Sequence, residues 1–304
     1  MKKTFYPFLV VGMLAACQQH KPVAAETAPV AIATVPQPRA DEKALPVLFT
    51  AADTLTKPMR QLLHEYDLSK LWQGNTKERR KDPTLQGFFG PDHYRFALVF
   101  TNVVRDKQHP EIYHVQGKCR YRKNIRPFEG TLTVRQIADA EVYYSPADGS
   151  FYTPPADSLP SDTVQARYER AIGKARFYTL RAQLQLREDD AENSGIFEGE
   201  AILNFYAAPP QHVGYATAPA LTPNEPAQGS SMLLRGSRRN VTTRQIKKFV
   251  VAEDVFAAAP DVYKDFGIGD RGGEINPKYA RLGWNELWEN DEWWADSPKP
   301  KLSL

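Results

Sequence analysis

The sequence predicts a mainly β protein: an antiparallel barrel or a two-sheet sandwich, with an N-terminal helix and a tryptophan-rich C-terminal segment. Three observations predict it. At least six segments alternate apolar and polar residues with a period of two, the pattern of strands that bury one face. They are separated by turn-forming residues, with none of the strand–helix alternation that builds parallel sheets. Gly117, Gly130 and Gly199 fall inside these segments, where the sharp bends of a small barrel need them.

The chain opens with Lys2 and Lys3, an apolar run from Phe5 to Met13, and then Ala15 and Ala16 before Cys17. Basic, apolar and small residues in that order are the layout of a secretory signal. The run is too short for a permanent membrane span, which needs about 20 residues. Leu14-Ala15-Ala16-Cys17 resembles the lipobox of bacterial lipoproteins. That resemblance implies a signal peptide over 1–16, cleavage before Cys17, a diacylglyceryl group on its sulfur and an acylated new amino terminus. Several acyl chains anchor a protein stably where one does so only marginally. In the sorting pattern of that family, Gln18 in place of an aspartate implies the outer membrane. The lack of acidic residues in Gln18-Gln19-His20-Lys21 implies its periplasmic face rather than the cell surface.

Residues 17–45, rich in Ala, Pro, Val and Thr, read as a semi-rigid, largely disordered tether, and 46–304 as one β-rich domain. Thr56 is placed to cap a helix with Pro58 in its first turn. Met59, Leu62, Leu63 and Tyr66 recur at helical spacing, and the helix is expected to end near Trp72. Strands follow. Tyr94, Phe96, Leu98 and Phe100 share a face, as do Tyr113, Val115, Gly117, Cys119 and Tyr121, and then Phe128, Gly130, Leu132 and Val134. After a long connection from Asp139 around a short strand at 142–144, Tyr178 to Leu186 and Phe197 to Phe205 alternate and form a hairpin. A Pro/Ala-rich loop is expected over 207–229, then strands at Ser231–Arg235 and Gln245–Ala252. The meander is generically lipocalin-like (calycin-like), and a barrel of that kind is favoured over the sandwich.

Of 304 residues, 42% are hydrophobic and 25% charged, a globular balance. Lys2 and Lys3 supply two of the three net positive charges, so the domain is nearly neutral and gives no reason to invoke nucleic acid. With Cys17 lipidated, Cys119 has no disulfide partner and is expected as a small buried side chain. Gly267, Gly269 and Gly272 spell G-x-G-x-x-G, but the dinucleotide loop needs a strand before it and a helix after it inside a βαβ unit. The segment reads as a glycine-rich turn, and no cofactor is expected. His109 and His114 precede or sit on a strand at a spacing that points them to opposite faces, so no metal site is expected there.

Two constellations stand out. His114, Lys118, Arg120 and Arg122 share one strand face, to which Arg181 and Arg187 add if their strands lie near. This is either a solvated exterior or a seat for an anionic ligand. Four of the five tryptophans, Trp284, Trp288, Trp293 and Trp294, fall within eleven residues among Glu286, Glu289, Asp291 and Glu292. The segment 261–304 either covers the sheet with its indoles as core or presents an aromatic platform of the kind sugars stack on. Trp284, Trp288, Trp293, Trp294, Lys118, Arg120 and Arg122 are therefore the candidate ligand contacts. Three functions follow in order: a non-catalytic envelope lipoprotein binding a small amphiphile or an envelope glycan, an assembly partner of outer-membrane proteins, and a glycoside hydrolase using carboxylates of the tail. No catalytic motif singles out a residue.

Overall fold

The computed structural model describes residues 49, 54–74, 83–140, 143–144, 151–152, 175–189, 192–216, 227–256, 259–268, 274–287 and 292–296. The expectations for Cys17, the signal, the tether and Trp288 lie outside the described residues. Residues Leu45–Leu304 form one compact unit.

Its strands are β1 (Leu85–Phe89), β2 (Tyr94–Arg105), β3 (Ile112–Tyr121), β4 (Asn124–Asp139), β5 (Tyr143–Tyr144), β6 (Phe151–Tyr152), β7 (Arg176–Glu188), β8 (Gly195–Ala208), β9 (His212–Tyr215), β10 (Met232–Asn240) and β11 (Ile246–Ala252). Nine of them form a sheet in the order β10-β11-β1-β2-β3-β4-β7-β8-β9, and β10 also pairs with β8, which closes the sheet into a ring. All pairings in it are antiparallel. β8 is long enough to take two partners in succession on one edge: β10 along Gly195–Leu203 and β9 along Phe205–Ala208. The fold is therefore the expected antiparallel meander, and it is closed.

Period two then decides what lies inside. Phe96, Leu98 and Phe100 of β2, Val115 and Cys119 of β3, Leu132 of β4, Leu184 of β7, Phe197 and Leu203 of β8, Leu234 of β10 and Val251 of β11 form one continuous core. Register shifts at Phe100/Asn102 and Val134/Gln136 are β-bulges, and each resets the alternation so that Val103 and Ile137 are buried as well. Gly199 and Gly236 face each other across β8 and β10, and a Cβ on either would be driven into the backbone of the opposing strand. Glycine is the residue that permits this close crossing.

At one end of the ring the helix expected between Thr56 and Trp72 is two helices, α1 (Lys57–Glu65) and α2 (Ser69–Trp72). Tyr66 adopts an extended conformation, and the Asp67 carboxylate accepts hydrogen bonds from the Ser69 amide and hydroxyl, so the chain breaks and restarts there. Thr56 holds the cap position without a side-chain cap bond. The break lets Leu63, Leu68, Leu71 and Trp72 all enter the barrel core. Arg105 of β2 donates to the carbonyls of Leu63 (2.5 Å) and Tyr66 (3.2 Å), which satisfies part of the exposed end of α1.

Two strands of the nine-stranded sheet escaped the sequence reading. β1 is only five residues long, and β9 lies inside the supposed Pro/Ala loop, where Tyr215 donates to the Leu71 carbonyl. The glycine-rich turn is flanked by a two-residue ladder, β12 (Gly267–Ile268) with β13 (Glu274–Ile275).

The tail crosses the outside of the barrel. α3 (Pro260–Phe266), α4 (Pro277–Ala280) and a short 3₁₀ turn (Trp284–Glu286) bring Val262, Phe266, Tyr279 and Trp284 against outward-facing Phe88 of β1. The α4 start is the one anticipated, with the Asn276 side chain accepting from the Lys278 amide. Trp284 is fully buried, its indole N–H donates to the His93 carbonyl (2.9 Å), and its ring lies 4.9 Å from that of Phe88. Trp284→Ala should therefore lower stability by about 3–5 kcal/mol, the range for a deleted buried aromatic. Urea unfolding measures it, and an unshifted midpoint would show that the tail is not part of the cooperative unit.

Candidate functional site

Lys118, Arg120 and His114 project from β3 on the face opposite Cys119, so the basic stripe lies outside the barrel. The structure brings it together with the tryptophan segment. Lys118 donates to the Trp294 carbonyl (2.7 Å) and to Asp296 (2.6 Å), and Arg120 donates to Glu286 (2.8 Å). Trp293 packs on Ala97 and Val99 of β2 with Trp294 edge-on beside it. Arg122 sits in the β3–β4 turn with positive φ, its guanidinium 4.3 Å from the centre of the Tyr94 ring. His114 is 3.0 Å from Asp106, whose carboxyl is held at about 2 by that contact and by the His109 and Gln108 amides. The stripe and the tail thus serve each other as seat and strap. Of the tail acids, Glu286 is engaged by Arg120, and Glu289 and Asp291 lie outside the described residues. Arg181 lies elsewhere on the exterior, where it and Arg235 flank the buried carboxylate of Glu200.

A second constellation lies inside the barrel, at the end opposite the helices. The β1–β2, β3–β4, β7–β8 and β10–β11 turns all gather there. Beneath them is a cavity of about 260 Å³. Phe89, Phe96 and Tyr121 give it apolar surface, and Cys119 lies beside them. Its upper wall is polar: Arg126, Glu188, Arg238 and Lys247, with Asn124, Asn193, Asn240 and Gln245 nearer the turns.

Strand parity explains the composition. Each charged residue continues the inward phase of its strand by one more step: Arg126 before Phe128, Glu188 after Leu186, Arg238 after Leu234 and Gly236, Lys247 before Phe249. Below them the rings of Phe96, Phe197 and Phe249 lie within 6.1 Å of one another and fill the barrel. The cavity is thus a pit at one end.

Its electrostatics are uneven. Arg238 makes a fork to Glu188, Nε at 3.2 Å and Nη2 at 2.5 Å, and also donates to the Asn193 carbonyl (2.7 Å). Gly195 leaves the room this guanidinium occupies. Glu188 is nearly fully buried and is therefore matched, as a buried carboxylate has to be. Cys119 donates to Glu188 at 3.4 Å, and burial together with that carboxylate pushes its thiol well above the ordinary value.

Arg126 is only partly matched. Its Nη2 donates to the Glu192 carbonyl (2.7 Å), but Nη1 is buried without a hydrogen-bond partner and stands 3.9 Å from Asp189. Lys247 has the Phe89 ring 5.6 Å away and no carboxylate partner among the described residues. The cavity lining therefore holds three cations, Arg126, Arg238 and Lys247, to one carboxylate, Glu188, and Arg126 keeps a spare donor. The sequence reading missed these residues, although the alternation would have found them if extended past the apolar run. Among the described residues no cluster of His, Cys, Asp and Glu could hold a metal, and no helix is long and apolar enough to cross a membrane.

No protein-family model, curated protein or solved structure matches the chain.

Because its thiol is buried and held protonated, Cys119 should stay unmodified when the native protein meets iodoacetamide at pH 8, and react once urea unfolds the chain. Peptide mass mapping reads this directly. Rapid native labelling would show the cavity wall to be open at Cys119.

Proposed function

We propose that this chain is a lipid-anchored envelope protein whose barrel binds a small anionic amphiphile, without catalysis, at its four-turn end. The cavity carries this reading. An apolar lower part and a polar rim are what a ligand with a greasy end and a charged head requires. The surplus of Arg126 and Lys247 over Glu188 sets the sign of the head, because an oxyanion would satisfy the orphaned Nη1 donor of Arg126. The packed phenylalanines below limit the apolar end to a short chain. At about 260 Å³ the cavity is just under the 300–1,000 Å³ typical of small-molecule sites.

The assembly-partner reading calls for a flat exposed apolar patch. Among the described residues the large exposed apolar side chains are Val104, Ile125 and Ile246, on three different strands. The interior cavity therefore favours the binding reading over that one. The anchor rests on the lipobox resemblance at Cys17, with the periplasmic face of the outer membrane as the proposed address.

Calorimetric titration with octanoate should show binding that octanol, of equal chain length, does not match. Arg126→Ala and Lys247→Ala should each weaken octanoate by roughly tenfold or more, the value of one charge-assisted hydrogen bond. Equal binding of octanoate and octyltrimethylammonium would sink the reading. For the anchor, Cys17→Ser should move the protein from the membrane to the soluble fraction, and a variant still sedimenting with outer membranes would refute the lipidation.

A further inference from the structure

Two of the three large apolar side chains exposed among the described residues lie at the cavity end. Ile125 is 45% exposed at the start of β4, and Ile246 is 37% exposed at the start of β11. Both are in outward phase, since Arg126 and Lys247 beside them line the cavity. Each stands beside exposed cations. Arg122 and Lys123 form the β3–β4 turn, and Ile246 at the start of β11 is flanked by Arg244 of the β10–β11 turn and Lys248 of β11. β4 and β11 are on opposite sides of the ring, so the two cationic, apolar-tipped turns straddle the cavity mouth. The intervening β1–β2 and β7–β8 turns carry Asp92, Asp189, Asp190 and Glu192, of which Asp190 lies outside the described residues. Asp189 stands beside Arg126, and the other acids of these turns, Asp92, Asp190 and Glu192, are three against the four cations Arg122, Lys123, Arg244 and Lys248.

An isolated exposed isoleucine needs no explanation. A pair at one end, each seated among lysines and arginines, has the composition of a surface that lies on anionic lipid. There, cations meet headgroup charge, and aliphatic side chains enter the boundary beneath.

We infer that the cavity end of the barrel docks on an anionic lipid surface through the β3–β4 and β10–β11 turns, with Ile125 and Ile246 entering the headgroup boundary and the cavity mouth facing the lipid. This rests on the barrel surface and not on the identity of any cavity ligand.

Hydrogen–deuterium exchange of the full chain tests it, with vesicles of phosphatidylcholine alone or mixed equally with phosphatidylglycerol. Peptides covering 121–126 and 241–248 should exchange several-fold more slowly only with the anionic vesicles. The loop 106–111, at the helix-plugged end, should not change. Lys123→Glu with Lys248→Glu should abolish the protection, and Ile125→Ser with Ile246→Ser should weaken it. Both double variants replace exposed side chains and should keep the wild-type urea midpoint. Arg126→Ala should lose octanoate and keep the protection, so failure of cavity binding and failure of docking are read separately. Equal protection in both vesicle types, protection of both ends, or protection that survives charge reversal would overturn the inference.

Discussion

The closure of β8 on β10 and of β11 on β1 is the constraint from which the rest follows. The ring gives each of its eight strands, β10-β11-β1-β2-β3-β4-β7-β8, a partner on both sides, so among the described residues of this sheet an outer edge is left only on the short β9. It also turns one face of every strand inward, so a period-two sequence becomes a list of what the interior contains. In the middle that list is aromatic and aliphatic, and close packing results. At the helix end, α1 and α2 supply the missing apolar surface. At the other end no helix among the described residues covers the ring, and the inward positions become Arg126, Glu188, Arg238 and Lys247. One buried pair among them, Glu188 with Arg238, is fully engaged, which leaves Arg126 with only the distant Asp189 carboxylate at 3.9 Å and Lys247 with no carboxylate partner among the described residues.

The exterior obeys a second constraint. Phe88, Ala97 and Val99 point outward and are apolar, which a solvated barrel wall could not sustain over a continuous patch. The tail covers them. Burial of Trp284 and Trp293 supplies the energy, whereas Lys118–Asp296 is an exposed pair of the kind that contributes little by itself. The charges fix the position of the strap: Lys118 and Arg120, two residues apart on one strand, grip opposite ends of the segment 286–296.

The long strands were legible because each has one face wholly in the core, which writes alternation into the sequence. β3, β7 and β8 are read off almost residue by residue. β1 was not, because Phe88 is buried on the outside by the tail while Leu85 and Phe89 are buried inside, so the alternation disappears. β9 was hidden by its four-residue length beside prolines. The basic stripe and the tryptophan cluster were visible, but nothing in a linear sequence shows that two segments some 170 residues apart answer each other. The cavity charges escaped for the opposite reason. A charged residue at a strand end reads as a turn residue unless the phase of the strand is carried through it.

The meander has a kinetic corollary. Most strand pairs join neighbours in sequence, and these hairpins can form as soon as their residues exist. The seam is different: β1 pairs with β11, joining Phe89 to Phe249, about 160 residues away. Until β11 arrives, β1 and β2 form a hairpin with one bare edge and an apolar outer face that the tail has not yet covered. Contact order thus puts the costliest closure where the first strand waits for the last, the same place where an open edge and an uncovered apolar face would lie together.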